Sequence, residues 1–431
     1  MAGPSGAEFT SLQRDRSVNQ RSGHPPSAEW LPLTSPGRSS STISIAHSLT
    51  RQLPEPRLSL QSDSRRPGLC LACLKVPETQ LVRAPEPKGL RPLADDLPRT
   101  SSKVSGARVG LFPSQQPALS ARYTESLAAL TDDGEDGGRS HERGIAWGTE
   151  VAQAVLAWRA TDGFLGSYPP FIGGTAIGQW RPTPPALGPM SAQGLAFTAP
   201  FILPSETQFR PEPPRALTSA IYTDDFSAVK ALGRRTGSTR TEEQTALALF
   251  WDGNASVHWN QAANQMARAS NLSLSHNNRL LAAVNLAMAD TAITIWSSKR
   301  FYGSVPTAVT WRPVTSIPLA DSDGNPETAA DPEWLPLINT PSHAEYPAGH
   351  PSQNGAAATV LLSHFKRGPQ PFTLTTAGQP SRTYTSIEQA RADGNNGRVW
   401  GGMHYPSTVG ISDAVGEAIA EYVNRNAMQR L

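Results

Sequence analysis

The sequence predicts a mainly α protein, a helical bundle over residues 106–431 preceded by a disordered arm over residues 1–105. Two observations in the later part support the bundle. Apolar residues recur at helical spacing in one segment after another, and no convincing alternating strand series is present. The third observation is a change of composition near Gly106. Before it, Pro, Ser and Arg recur without period, as in "SPGRSSSTIS" and "RLSLQSDSRRPG". Such a segment buries too little apolar surface to offset the entropy of ordering it.

The elements follow in order. "PALSARYTESLAALTDD" and "GIAWGTEVAQAVLAWRATDG" read as amphipathic helices, the second ended by Gly163. The Pro/Gly-rich stretch "SYPPFIGGTAIGQWRPTPPALGPM" has to be irregular. Its Phe171, Ile172 and Trp180 need burial, so it is expected to wrap the helices. "TSAIYTDDFSAVKALG" is a helix stopped by Gly233. "TEEQTALALFW" opens as a capping box, with Thr241 as N-cap and Gln244 three residues on. The longest apolar run, 277–299, puts Leu280, Leu281, Val284, Met288, Thr291 and Ile295 on one face. A last helix near 412–428 carries a stripe of Val415, Ile419, Tyr422 and Val423. The half of the domain from about residue 240 onward holds the chemistry-bearing residues.

Charge excludes little and favours nothing global. The chain of 431 residues has a formal net charge of +2, so a nucleic-acid partner is not indicated. The arm is net +5 and the rest net −3, so an anion site in the body has to be assembled locally. The only cysteines, Cys70 and Cys73 in "GLCLAC", lack the second half of a zinc site and a βαβ context, and they receive no metal or redox role. No run approaches the ~20 apolar residues of a membrane span, and "MAGPSGAEFTSLQRDR" has no apolar signal core.

Three clusters remain. "KRFYGSVPTAVTWRPVTSI" holds Lys299 and Arg312-Pro313. "EYPAGHPSQNGAAATVLLSHF" puts Gly349-His350 where an alanine-rich helix begins. "GRVWGGMHYPS" holds Arg398 and, six residues on, His404. A helix N-terminus offers free backbone N–H groups to an anion, and Gly349 lets an oxygen approach its amide closely. Arginine presents a planar fork to oxyanion edges, lysine a compact charge, and histidine a proton near neutral pH. Asp252 and Asp290 are candidate carboxylates to orient the arginines, whereas His258 and His276 read as packing or surface residues.

This ordered set resembles the signature of the vanadium-dependent haloperoxidase and type 2 phosphatidic acid phosphatase superfamily, K-x6-RP, then P-S-G-H, then S-R-x5-H-x3-D. The flanking "QWRPTPPALGPM", "PFILPSETQFRPEPP" and "HAEYPAGH" look like its bacterial haloperoxidase-like branch. The resemblance covers about residue 106 to the C-terminus. It implies a site for vanadate, or phosphate in its place, with Lys299, Arg312, Arg398 and the Gly349 amide on the equatorial oxygens. His404 would be the apical vanadium ligand, or the nucleophile that becomes phosphorylated. His350 would be the acid–base group, and His343 a candidate on the halide side. The implied activity is oxidation of a halide by hydrogen peroxide. The alternatives are phosphate-monoester hydrolysis through a phosphohistidine and a degenerate, non-catalytic anion binder.

Four departures from the pattern bear on the choice. Lys299 precedes Arg312 by thirteen positions instead of seven, so the residues around "GSVPTA" would have to loop out. The serine before Gly-His is Ala348. The aspartate four residues after His404 is Thr408, with Asp413 as a distant substitute. The resemblance also implies export and early helices where the arm stands. If those helices are absent, exposed apolar faces would favour a homo-oligomer.

Overall fold

The computed structural model describes residues 110–128, 139–365 and 371–427. The disordered arm expected over residues 1–105, with Cys70 and Cys73, lies outside the described residues. Within them the chain is mostly helical, in this order: α1 (Gln116–Ala128), α2 (Arg139–Arg159), α3 (Ala220–Leu232), α4 (Glu242–Phe250), α5 (Ala255–Ala269), α6 (Leu274–Gly303), the short α7 (Pro313–Ser316), α8 (Gly349–His364), α9 (Ile387–Trp400) and α10 (Pro406–Asn426). A two-stranded antiparallel ribbon, β1 (Phe372–Leu374) and β2 (Arg382–Tyr384), pairs Phe372 with Tyr384 between α8 and α9. Its strands are three residues each, too short for the alternation that a sequence pattern can register.

Helix starts follow local chemistry. Ser219 caps α3, Asn254 caps α5, Ser273 caps α6 and Ser386 caps α9, each accepting a backbone N–H from the first turn. At α4 the expected capping box is complete, Thr241 Oγ1 accepting from Gln244 N and Gln244 Oε1 accepting from Thr241 N. Helix α5 is amphipathic, its apolar residues recurring at helical spacing among polar ones. Its buried face is built from Ala255, Ala262, Ala263 and Ala267 around Trp259 and Met266, small residues that let neighbours come close.

The core sits around α6, α8 and α10, which pack on one another. The stripe expected on one face of α6 is buried, but so are its other faces, because the helix runs through the middle of the bundle. By length and composition α6 could cross a membrane; here its apolar surface is mostly enclosed by protein. Helices α8 and α10 cross at glycines. A Cβ on Gly416 would lie 1.8 Å from the Ser352 carbonyl oxygen, and one on Gly355 would lie 2.2 Å from that of Asp413. On α10 the stripe Val415, Ile419 and Val423 is buried and Tyr422 is half-buried.

The Pro/Gly-rich stretch wraps this core as expected. Trp180 is fully buried, stacks with Phe171, and its backbone N–H donates to Thr310 Oγ1 at 3.0 Å. Ile172 departs from the expectation: it is 60% exposed, while the neighbouring Phe171 stacks on Trp180. Asp290 also departs from it. The carboxylate sits in the middle of α6 and accepts the backbone N–H groups of Phe201, Ile202 and Leu203 at 2.6–2.9 Å, anchoring the wrapping segment and orienting no site arginine. Burial raises its pKa to about 6 against the pull of those three bonds.

Candidate active site

The chemistry-bearing residues come from six places in the chain and converge beside the start of α8. Lys299 is at the end of α6, and Arg312 is the residue ahead of α7. His343 and Glu345 lie on the irregular segment before α8, Gly349 and His350 in its first turn, Arg398 at the end of α9, and His404 in the turn between α9 and α10. That turn is set by glycine: Gly402 has φ +74°, with Gly233 and Pro336 packed closely against it. The N–H groups of Met403 and His404 then return to the Arg398 carbonyl at 2.9 and 3.3 Å, so Arg398 and His404 are held together by backbone as well as by sequence spacing.

Lys299 reaches the region in spite of the longer spacing. Helix α6 runs on to Gly303, the extra residues turn at Ser304–Thr307, and the chain returns in time for Arg312. The Lys299 ammonium is fully buried and donates to the carbonyls of Ala344 and Glu345 at 2.6 and 3.2 Å. Burial lowers its pKa, the neighbouring Arg312 adds to this, and Glu345 opposes it.

Arg312 ties the site together. Its Nε donates to the His343 carbonyl at 2.9 Å, Nη1 to the Met403 carbonyl at 2.8 Å and to His404 Nε2 at 2.9 Å, and Nη2 to His343 Nδ1 at 2.8 Å. A guanidinium only donates, so both ring nitrogens must accept. His404 therefore carries its proton on Nδ1, which donates to Glu345 Oε1 at 2.9 Å. Burial, then Arg312, Lys299 and Arg398, hold the His404 pKa well below the ordinary histidine range, so the ring is neutral with an unprotonated Nε2. His343 is likewise held neutral by burial and the two cations, and its ring packs against Trp296 with centroids 5.3 Å apart.

Glu345 is the residue that motif reading passes over. Oε1 accepts from His404 Nδ1 and from Tyr405 N at 3.1 Å, and Oε2 accepts from Thr408 Oγ1 at 3.1 Å. Burial pushes this carboxyl up, while Arg312 and Lys299 pull it back toward the ionised form. The only sequence signal for it is an acidic residue between apolar neighbours, in "HAEYPAGH", five residues before a candidate acid–base histidine. Asp413 does not take this place: it accepts two bonds from Arg391 at 2.7 Å.

Across the pocket the α4–α5 turn contributes Asp252 and the Gly253 carbonyl. Asp252 Oδ1 accepts from Arg398 Nη1 at 3.4 Å, and the Gly253 oxygen accepts from His350 Nε2 at 3.1 Å. Burial and the nearby Arg398 lower the His350 pKa. Two groups are left to receive a ligand. Arg398 is 2% exposed, and its Nε is buried with no partner among the described residues. The start of α8 has no side-chain cap: Ala348 is the N-cap, and its own N–H donates to Ser412 Oγ at 2.7 Å.

His343, Gly349, His350, Arg398 and His404 line one pocket of about 1100 Å³. Lys299 and Arg312 lie behind its wall, Arg312 directly against His404. Three cations outnumber two carboxylates here, an excess that suits an oxyanion. Among the described residues no group of three or more His, Cys, Asp and Glu side chains could hold a bare metal ion. Of the two open readings His258 takes packing, donating from Nε2 to Thr376 Oγ1 at 2.7 Å, and His276 takes the surface, exposed in the first turn of α6.

Residues 279–431, which contain every residue of this cluster except Asp252 and Gly253, match a family model described as the VCPO second helical-bundle domain. The fold is similar to that of a bacterial vanadium-dependent iodoperoxidase, at 25% identity and a TM-score of 0.63, over 76% of this chain and 79% of that one. It is also similar to the holo and apo forms of a bacterial vanadium-dependent chloroperoxidase. Both are 18% identical with a TM-score of 0.58, over 77% of this chain and 83% and 84% of theirs. No curated protein matches by sequence.

Proposed function

For a chain of the vanadium haloperoxidase and type 2 phosphatidic acid phosphatase superfamily, we propose a vanadate-dependent peroxidase that oxidises a halide with hydrogen peroxide. The observation that carries this is His404: a buried, neutral imidazole with a lone pair on Nε2, set among Arg312, Lys299 and Arg398. An oxyanion of vanadium would be held by such a nitrogen together with cations for its oxygens. Arg398 Nε, without a partner among the described residues, and the uncapped start of α8 fit it as well.

Vanadate, when bound, supplies a Lewis-acidic centre that activates peroxide toward a halide without changing its own oxidation state. The residues of the chain hold and orient. His404 Nε2 would bind the vanadium, and Arg398 and the Gly349 N–H would donate to oxygens. Arg312, beside His404, would add charge for the same oxygens. Lys299 would contribute charge from behind the carbonyls of Ala344 and Glu345. His350, with Nε2–H directed to the Gly253 carbonyl, would have Nδ1 as its acceptor for a proton from peroxide. His343, beside Trp296, borders the side where a halide would approach. The partners are thus peroxide, a halide and the organic acceptor that the oxidised halogen attacks.

The test is halide oxidation by the full chain with and without added orthovanadate, with His404→Ala alongside. Activity that needs both peroxide and vanadate and is lost in the variant supports the peroxidase. Hydrolysis of a phosphate monoester, inhibited by vanadate and without halide oxidation, would replace it with the phosphatase. Silence in both would leave the non-catalytic anion binder.

A further inference from the structure

We propose that Glu345 is the positioning carboxylate for His404, taking over from another segment the place that the superfamily pattern gives to an aspartate four residues after the histidine. The proposal rests on the function proposed above and says how the site works despite Thr408. At His404 the carboxylate is needed for geometry: a proton held on Nδ1 leaves Nε2 unprotonated and pointed into the site. Glu345 Oε1 meets His404 Nδ1 at 2.9 Å, with both side chains 2% exposed.

Thr408 has become part of the same device. Its hydroxyl donates to Glu345 Oε2 at 3.1 Å, so the position that would carry the aspartate now orients the substitute. Tyr405 N–H fixes the other oxygen, and among the described residues each hydrogen-bond partner of this carboxylate is a donor. The backbone of the same residue reaches two further site elements. Its N–H donates to the Thr310 carbonyl at 2.8 Å, two residues before Arg312, and its carbonyl accepts from Lys299 at 3.2 Å. Moving the carboxylate here locks the histidine, the arginine loop and the lysine to one residue, an arrangement that a carboxylate on α10 would not provide.

The contact also predicts how the two positions depend on each other. An aspartate at 408 added to the native chain would place a second carboxylate against Glu345 in a buried site, where like charges cannot both be held. With Glu345 shortened to alanine, the same aspartate would have the vacated space and the His404 proton to itself. Each single change is harmful and the pair is compensating.

The experiment follows the His404 ring nitrogens by ¹H–¹⁵N correlation NMR of the full chain labelled at histidine, and orthovanadate affinity by equilibrium dialysis. The native protein should show the proton on Nδ1. Glu345→Ala should give a mixture of tautomers and weaken vanadate by ~10–100-fold. Glu345→Ala/Thr408→Asp should restore the Nδ1 tautomer and most of the affinity, while Thr408→Asp alone should be impaired. A native His404 protonated on Nε2 overturns the proposal without any variant. So does Glu345→Ala that keeps tautomer and affinity, or a folded double variant that recovers neither. Native protein that shows the Nδ1 tautomer but binds no vanadate would overturn the proposed peroxidase and leave the Glu345 assignment standing.

Discussion

His258 should make this protein acid-sensitive, and replacing it should reverse the order of stability between neutral and acid pH. The ring is 1% exposed, stacked against Phe250 with centroids 5.2 Å apart and edge-on to Trp251. Thr376 Oγ1 donates to the Phe250 carbonyl, so it accepts from His258 Nε2 and the histidine proton sits there. Nδ1 is buried with no partner among the described residues, and protonating it would bury an unsatisfied cation. Burial accordingly lowers the pKa from 6.5 to about 4. Between those values the unfolded chain binds the extra proton and the folded chain does not, so stability falls as pH falls through this window. At ~1.36 kcal/mol per pH unit the loss is about 2 kcal/mol by about pH 5 and about 3 kcal/mol by about pH 4.

His258→Phe keeps an aromatic ring in the stack and gives up the Thr376 bond, worth ~1 kcal/mol. The variant should be less stable than the native protein by about 1 kcal/mol at about pH 7.5 and more stable by about 1 kcal/mol at about pH 5, with the curves crossing near pH 6. Urea denaturation of both proteins at a series of pH values measures this directly. A difference between them that stays constant from neutral pH down to about pH 4 would show that His258 stays as easily protonated in the folded chain as in the unfolded one. The site would feel the same proton. A Cβ on Gly253 would lie 2.9 Å from the His258 ring, and Gly253 supplies the carbonyl that holds His350 and adjoins the Asp252 partner of Arg398.

Two further substitutions probe the packing and the cradle. Gly416→Ala drives a methyl into the Ser352 carbonyl at the α8–α10 crossing and should cost about 1–3 kcal/mol or more, visible as a lower Tm in calorimetry. Because Ser352 is in the first turns of α8, the same change should weaken orthovanadate binding more than an equally destabilising change far from that helix. Ala348→Ser restores the hydroxyl that the superfamily pattern places before Gly-His. One hydrogen bond to a charged oxygen is worth ~1.5–3 kcal/mol, so vanadate affinity by dialysis should rise about tenfold or more, and an unchanged value would mean that the hydroxyl has no oxygen to reach.

The amphipathic spacing of α3, the capping box at Thr241 and the stripe on α10 were legible because a helix is a local object, with its period and its caps written within a few residues. So was the pairing of Arg398 with His404, six residues apart across one glycine turn. Helix α5 is harder to read: its apolar residues keep helical spacing, but most of them are alanines set among polar neighbours. The role of Asp290 is not legible in sequence, because its three partners are backbone N–H groups, which no sequence pattern displays.

What the sequence determined by itself was the helical class, the main helices and the residue types from which an oxyanion site is built. The tertiary structure alone decided which carboxylate meets His404. Glu345 and His404 are 59 positions apart, and their contact depends on where α8 and α10 cross and on how the segment before α8 turns past Lys299. A motif records residues that a helix or turn keeps at fixed spacing. A hydrogen bond asks only that donor and acceptor arrive at the same place, and any segment that packs there can supply one.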